Sequence, residues 1–255
     1  MKKTESALEK NINVVFGFYL NPKSNWKAIL SGQLNDLKRY QLLAAAKLHI
    51  IITNPHNTEG AENIIRNICG STPTILTYAE NAYEYWALKY AWDLANSNPN
   101  GQLAYLHSKG ISYDIEKRTR FEKTLTRETF QGWRKITRLL DDKAIRKVGL
   151  FPSTEGWIWF NFWWTTAHYI TTLPEPIIST DRYTHESWLH RTSAPLEKDC
   201  FSLYSGAVGN FDVDETNAKM KALTKSAVLQ IPALRRLALQ LKKTVHPLLQ
   251  RQKNS

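Results

Sequence analysis

Cysteine is nearly absent. Cys69 and Cys200 are the two present, far apart and in no C-x-x-C pair. That excludes a disulfide framework and makes a reducing cytosol the expected compartment. No apolar run approaches the roughly 20 residues of a membrane span. The densest stretch, Gly156–Trp164, is only strand-length. The opening MKKTESALEKN carries lysines but no apolar core, so no secretory signal is expected. Glycine-rich phosphate fingerprints are missing as well. Neither G-x-G-x-x-G nor G-x-x-x-x-G-K-[ST] occurs, which argues against a dinucleotide-dependent dehydrogenase and a P-loop NTPase. There is no G-x-S-x-G elbow, and neither cysteine has a base beside it in sequence, so nucleophilic hydrolase chemistry finds no support. Internal repeats and low-complexity linkers are also lacking.

What remains is an ordinary globular composition: 255 residues, 42% hydrophobic and 22% charged. A chain of this length buries enough surface to fold without a metal or disulfide. The formal charge of +11 is unevenly spread. Residues 216–255 hold nine lysines and arginines and no acid, while the rest is nearly neutral. This predicts a body over 1–215 and a basic helical tail over 216–255. In the tail, Leu234, Leu237, Ala238, Leu241 and Val245 recur at helical spacing, with Arg235, Lys242 and Lys243 on the other side. Such a helix suits an anionic membrane surface. Equally, its leucines could pack on the body and leave the lysines solvated.

Along the body, apolar β-rich runs alternate with helical periodicity. Strands are predicted at 13–19, 48–53, 74–78, 103–107 and 147–151, and helices at 26–46, 59–69, 81–95 and 116–140. This alternation predicts an α/β fold with a mostly parallel sheet flanked by helices. Ligands of such sheets bind at the carboxyl ends of strands. That rule directs attention to 21–25, 78–81 and 107–110.

Four motifs stand out. H-S-K-G (107–110) ends a predicted strand, where His107 and Lys109 are suited to a diphosphate, or are simply a polar turn. H-E-S-W-L-H (185–190) spaces its histidines i, i+5, too far around a helix to share a zinc ion. Glu186 within it is a candidate general base. G-W-I-W-F-N-F-W-W (156–164) offers indole faces for a sugar, with Asn161 to fix a hydroxyl, or supplies core filler. D-V-D (212–214) is better read as a turn or helix cap than as a metal site.

Five segments in this order form a recognisable pattern: 29–50, 105–112, 125–136, 149–164 and 181–189. The chain resembles bacterial nucleotide-sugar glycosyltransferases of capsule and lipopolysaccharide gene clusters, with a GT-A-like, Rossmann-related fold. The histidine-x-lysine after a central strand and the later N-F-W-W are also similar to rhamnan-synthesis proteins. The resemblance implies transfer of a sugar from a nucleotide-sugar donor to a glycan or lipid-linked glycan acceptor. It implies nucleotide contacts from Asn21, Lys23 and Asn25, diphosphate contacts from His107 and Lys109, and a sugar cleft shaped by Asn161 and Trp163. Glu186 would be the base in an inverting reaction. Such enzymes usually carry D-x-D after the fourth strand, holding a divalent ion. Here that place reads His107-Ser108-Lys109. A lysine there supplies its charge directly and would repel a cation, so no metal and no other cofactor is expected. The expected location is the cytoplasm, peripheral on the inner membrane face through the tail. A basic nucleic-acid module is the rival reading, disfavoured because the aromatic residues lie in the near-neutral body, far from the basic tail. A non-catalytic scaffold binding sugar nucleotides is a second.

Overall fold

The structure, a computed structural model, describes residues 11–109, 111, 116–181, 183–190 and 199–229. The predicted tail helix around Leu234–Val245 lies outside these residues, as does Gly110. Two compact units are distinguished, Met1–Val213 and Asp214–Ser255.

In the first unit the alternation expected from the sequence is present. β1 (Ile12–Tyr19), α1 (Trp26–Arg39), β2 (Lys47–Thr53), α2 (Ala61–Cys69), β3 (Thr74–Tyr78), α3 (Tyr85–Ser97) and β4 (Gln102–His107) follow one another. Then come α4 (Arg120–Phe130), α5 (Trp133–Leu139), β5 (Lys147–Gly149), a 3-10 turn at Trp159–Asn161, β6 (Trp163–Thr166) and α6 (Ala167–Thr171). α7 (Tyr183–Glu186), a second 3-10 turn at Trp188–His190, β7 (Cys200–Ser202) and β8 (Ala207–Val208) complete it. α8 (Val213–Leu229) supplies the described part of the second unit. Asp212 and Asp214 of the D-V-D motif flank its first residue, at a helix start.

The strands form an eight-stranded sheet in the order β3-β2-β1-β4-β6-β5-β7-β8. β1 to β4 are mutually parallel, and β5 pairs with β7 in parallel. β6 is antiparallel to both of its neighbours, and β8 is antiparallel to β7. β2 and β3 extend from β1 on one side and β4 lies on the other. The order therefore reverses between β1 and β4, where crevices for ligands open in sheets of this kind.

Side chains alternate between the two faces. Val15, Leu103, Tyr105 and Trp163 pack with Ala87, Leu88 and Ala91 of α3 and Ile170 of α6. The alternate residue Trp164 takes the other face, where its Nε1 donates to the Thr129 carbonyl of α4 at 3.0 Å. β1 and β2 are buried along nearly their whole length, as strands covered on both faces should be.

Two predicted helices prove shorter. α1 stops at Arg39 instead of reaching Ala46, because Gln41 takes a left-handed φ of 62° that no helix tolerates. The helix expected over 116–140 divides into α4 and α5 at Gln131–Gly132. Glycine is among the weakest helix formers, and the break lets Trp133 Nε1 donate to the Tyr40 carbonyl at 3.0 Å. Among the described residues no helix is long and apolar enough to cross a membrane.

Candidate active site

The loops after β1 and β4 are sewn together across the switch point. Asn21 Nδ2 donates to the Ile111 carbonyl at 2.8 Å, and Ser24 Oγ donates to the same carbonyl at 3.0 Å. Ser108 N donates to the Gly17 carbonyl, and Ser108 Oγ accepts the Tyr19 N–H, both at 3.0 Å. Asn25 Oδ1 caps α1 by accepting from Ala28 N at 3.2 Å. The side chains of Asn21 and Asn25 are thus already committed to the loop and the helix. Lys23, in the same turn, is exposed.

Beside these loops lies a buried polar cluster centred on Glu84, the residue preceding α3. Its Oε2 accepts from Tyr105 Oη at 2.9 Å and from Asn161 Nδ2 at 2.5 Å. Its Oε1 lies 3.4 Å from His107 Nδ1. The Glu84 and His107 side chains are 18% and 12% exposed. Burial raises the pKa of Glu84, opposed by Lys109 and by the hydrogen bonds from Tyr105 and Asn161. Burial also pushes the His107 imidazole down to about 3, helped by the positive charge of Lys109. Tyr105 is raised well above its ordinary value, first by burial and then by Glu84.

His107 was expected to hold a diphosphate, but both ring nitrogens have protein neighbours. Nε2 lies 3.2 Å from the Phe160 carbonyl, and Nδ1 faces Glu84. Its ring stacks over Tyr105, with centroids 6.2 Å apart, and meets the edge of Phe162 at 5.4 Å. Trp163 is fully buried and stacks on Tyr105 at 5.0 Å. Its Nε1 donates to Asn161 Oδ1 at 2.7 Å. Asn161 and Trp163 therefore brace the interior behind the site and do not form its open wall.

The turn carrying Asn161 is strained. Phe160 and Asn161 have φ of 70° and 53°, and Tyr83, next to Glu84, has 54°. Non-glycine residues held there cost on the order of 1–3 kcal/mol each and persist where their surroundings fix them. Here the fixing groups are His107, Glu84 and Trp163.

Lys109 and Glu186, distant in sequence, meet in front of this cluster. Lys109 Nζ lies 3.8 Å from Glu186 Oε1, and the two side chains are 24% and 22% exposed. The Lys109 ammonium also lies 5.8 Å from the centroid of the Phe160 ring. α7 places Glu186 there and buries His185 next to it. The structure thus brings together His107, Lys109, Asn161, Trp163 and Glu186, and leaves Asn21, Lys23 and Asn25 in the neighbouring loop.

Among the described residues at the carboxyl end of β4, His107, Ser108 and Lys109 make a poor donor set for a divalent cation. Lys109 presents positive charge, Ser108 Oγ is occupied by the Tyr19 amide, and His107 is turned inward. Among the described residues no three or more His, Cys, Asp or Glu side chains gather as metal ligands would. Burial raises the thiols of Cys69 to about 11 and Cys200 to about 12, so neither is an activated nucleophile.

Sequence reasoning missed Glu84 and Tyr105. Glu84 falls inside the helix predicted at 81–95, where an acid reads as solvent-facing. Tyr105 reads as an apolar strand residue. The available signal was the position of Glu84 shortly after β3, at the sheet's ligand-binding edge.

No sequence-family profile matches the chain, and no characterised protein sequence does. Several solved structures share its outline. One is a mannosyltransferase from Pyrobaculum calidifontis solved with GDP-mannose and Mn2+, at 12% identity and a TM-score of 0.42, covering 74% of this chain and 56% of the other. Another is residues 1–349 of TarS from S. aureus, at 10% identity and a TM-score of 0.41, covering 86% and 66%. A third is the galactosyltransferase LgtC with donor and acceptor analogues, at 10% identity and a TM-score of 0.36, covering 84% and 95%. The chain spans little more than half the length of the mannosyltransferase. Likeness at this level does not extend to chemistry, which has to be argued from the side chains.

Proposed function

We propose that the chain is a GT-A-like glycosyltransferase that moves a sugar from a nucleotide-sugar donor to a surface-glycan acceptor without a metal ion. The observation that carries this reading is the approach of Lys109 and Glu186 to 3.8 Å at the carboxyl end of β4, next to the switch point of the sheet. Sugar transfer from a nucleotide needs two things in one place: positive charge for the departing diphosphate and a base for the acceptor hydroxyl. Lys109 supplies the first and Glu186 the second.

Their pairing also gives the reaction an order. Before the donor binds, the ammonium neutralises the carboxylate. A diphosphate arriving at Lys109 competes for that charge and leaves Glu186 free to accept a proton. A unit-charge pair about 4 Å apart is worth about 4 kcal/mol at an effective dielectric of 20, so the competition is large enough to matter. In an inverting transfer the acceptor oxygen attacks the anomeric carbon as its proton passes to Glu186. The bond from that carbon to the diphosphate breaks, and the electron pair leaves on the nucleotide.

The basic tail adds a proposed location. A lipid-linked acceptor would sit at the cytoplasmic leaflet, where each lysine or arginine near an anionic surface contributes about 1 kcal/mol. Thermal denaturation against a panel of nucleotide sugars, followed by transfer assays in excess EDTA, tests the reading. A donor at 100 times its Kd should stabilise the protein by about 2.7 kcal/mol, and turnover should survive the chelator. No stabilisation by any donor would refute donor binding. Activity lost in EDTA and restored by Mn2+ or Mg2+ would refute metal independence.

A further inference from the structure

The polar cluster behind Lys109 has a hydrogen count that the proposed reaction does not use. The Phe160 carbonyl accepts only, so the His107 Nε2 beside it at 3.2 Å carries the hydrogen. A neutral ring then has a bare lone pair on Nδ1, and Glu84 Oε1 lies 3.4 Å from that nitrogen. Glu84 Oε2 already accepts from Tyr105 and Asn161. An ionised Glu84 would set a carboxylate oxygen beside that lone pair with no hydrogen between them, in a largely buried site. The opposite ring tautomer only moves the clash to the Phe160 carbonyl.

We propose that Glu84 and His107 hold one proton between them, that it resides on Glu84, and that the neutral His107 so fixed holds the strained Phe160–Asn161 turn beneath Lys109. Glu84 is then a positioning residue. It acts through His107 and Asn161 on Phe160, whose ring lies against the Lys109 ammonium. This goes beyond the transferase reading and does not depend on it.

The groups around the pair act on it in opposite directions. Tyr105 comes from β4, Lys109 from the loop after it, Asn161 from the 3-10 turn, Tyr83 from the residue before Glu84, and His185 and Glu186 from α7. Among them Lys109 opposes an imidazolium at His107. Glu186 would favour one, but it is paired with Lys109. Lys109, His185 and the hydrogen bonds from Tyr105 and Asn161 favour an ionised Glu84, but burial, the largest influence on both groups, disfavours charge on either member of the pair.

Nitrogen-15 NMR on the full chain labelled at histidine tests the proposal directly, with the His107 signal assigned by its loss in H107Q. At pH 7, His107 is expected to show one protonated nitrogen, Nε2, and one bare nitrogen, Nδ1. An imidazolium, or a hydrogen on Nδ1, would overturn it. The substitution Glu84→Gln supplies a second readout. Its amide can donate to His107 while its carbonyl accepts from Tyr105 and Asn161, so the His107 tautomer should stay unchanged. The variant lacks the held proton. Its folded-to-unfolded ratio should therefore gain about tenfold on the native chain per pH unit between pH 5 and 7. Parallel stability curves would show that the pair holds no proton. If the variant does not fold, the carboxyl carbon-13 shift of Glu84 in the native chain decides: a protonated carboxyl is expected at pH 7, and a carboxylate would overturn the proposal.

Discussion

Ala87 stands so close to Gly17 that no methyl group fits between them. A Cβ on Gly17 would lie 2.9 Å from the Ala87 Cβ and 3.3 Å from Tyr105 Oη. This close approach seats the start of α3 on β1, and Glu84, the residue before α3, reaches Tyr105 as a result. Gly17→Ala is therefore expected to cost about 1–3 kcal/mol, the usual penalty for overpacking a core, and to displace Tyr105 from Glu84. Denaturant midpoints measure the first effect. An unchanged midpoint would show that α3 gives way freely.

At the reacting groups, Glu186→Gln should lower kcat by roughly 10²–10⁴-fold, the range of a lost general base, with donor affinity little changed. Lys109→Ala should lower kcat by more than it weakens donor binding, because the charge it meets grows as the diphosphate departs. Steady-state kinetics beside donor titration separates the two. Undiminished turnover in Glu186→Gln would remove that residue from the chemistry.

His49 gives the protein an acid limit of its own. It is buried between Asn13 Oδ1, 3.0 Å from Nε2, and Tyr90 Oη, 2.8 Å from Nδ1. Burial, with a smaller contribution from Lys47, lowers its pKa to about 4. A group depressed in the folded state contributes stability above its unfolded pKa of about 6.5, and that stability disappears as pH falls through about 4. The loss should be on the order of 2–3 kcal/mol between pH 7 and pH 4. Unfolding curves should show it in the native chain and not in His49→Gln. Equal acid sensitivity of the two would place the limit elsewhere.

Arg118 holds two acids together. Its Nη1 lies 2.8 Å from Asp36 Oδ2, and its Nε lies 2.6 Å from Glu122 Oε2. Glu122 is buried and its other oxygen accepts from Thr126. Arg118→Met leaves that carboxylate without its cation and should cost about 3–5 kcal/mol. The double variant Arg118→Met, Glu122→Gln should recover much of the loss. A double variant no more stable than the single one would assign the cost to packing.

The tail is tested by sequence alone. Removing residues 216–255 takes away nine basic side chains and no acid. Cosedimentation with anionic vesicles should fall, and should fall likewise for the full chain in high salt. Vesicle binding unaffected by the deletion would leave the tail without a role in membrane association. A truncated chain that no longer folds would be set beside a deletion of 230–255, which keeps α8 whole; unfolding of that shorter deletion would favour packing of the leucines.

The parallel half of the sheet was legible because β1, β2 and β4 are buried runs whose pattern admits little else. The carboxyl-edge rule directed attention to 107–110, where the structure sets His107 beside Glu84 and Lys109 beside Glu186. The other half was harder to read. β6 lies inside an aromatic block with no alternation to reveal it, and β7 and β8 are too short to carry a pattern. Lys147 reads as a solvent-facing strand residue, yet it is fully buried with its Nζ donating to the Gly156 carbonyl at 2.8 Å. Glu84 stayed hidden for a related reason. Its partners come from β4 and from the turn before β6, and only the folded chain brings them to it.

β6 also lies between β4 and β5 although β5 precedes it in the chain. On the ribosome β1, β2, β3 and β4 each emerge to a neighbour that has already been made or is next in line. β5 has its neighbour β6 next in line but none among β1 to β4, so it joins the sheet only once residues 163–166 are made. β7 waits on β5, and β8 on β7. The strand that ends this wait begins two residues after Asn161, so the last polar partner of Glu84 arrives with the segment that lets the sheet grow past β4.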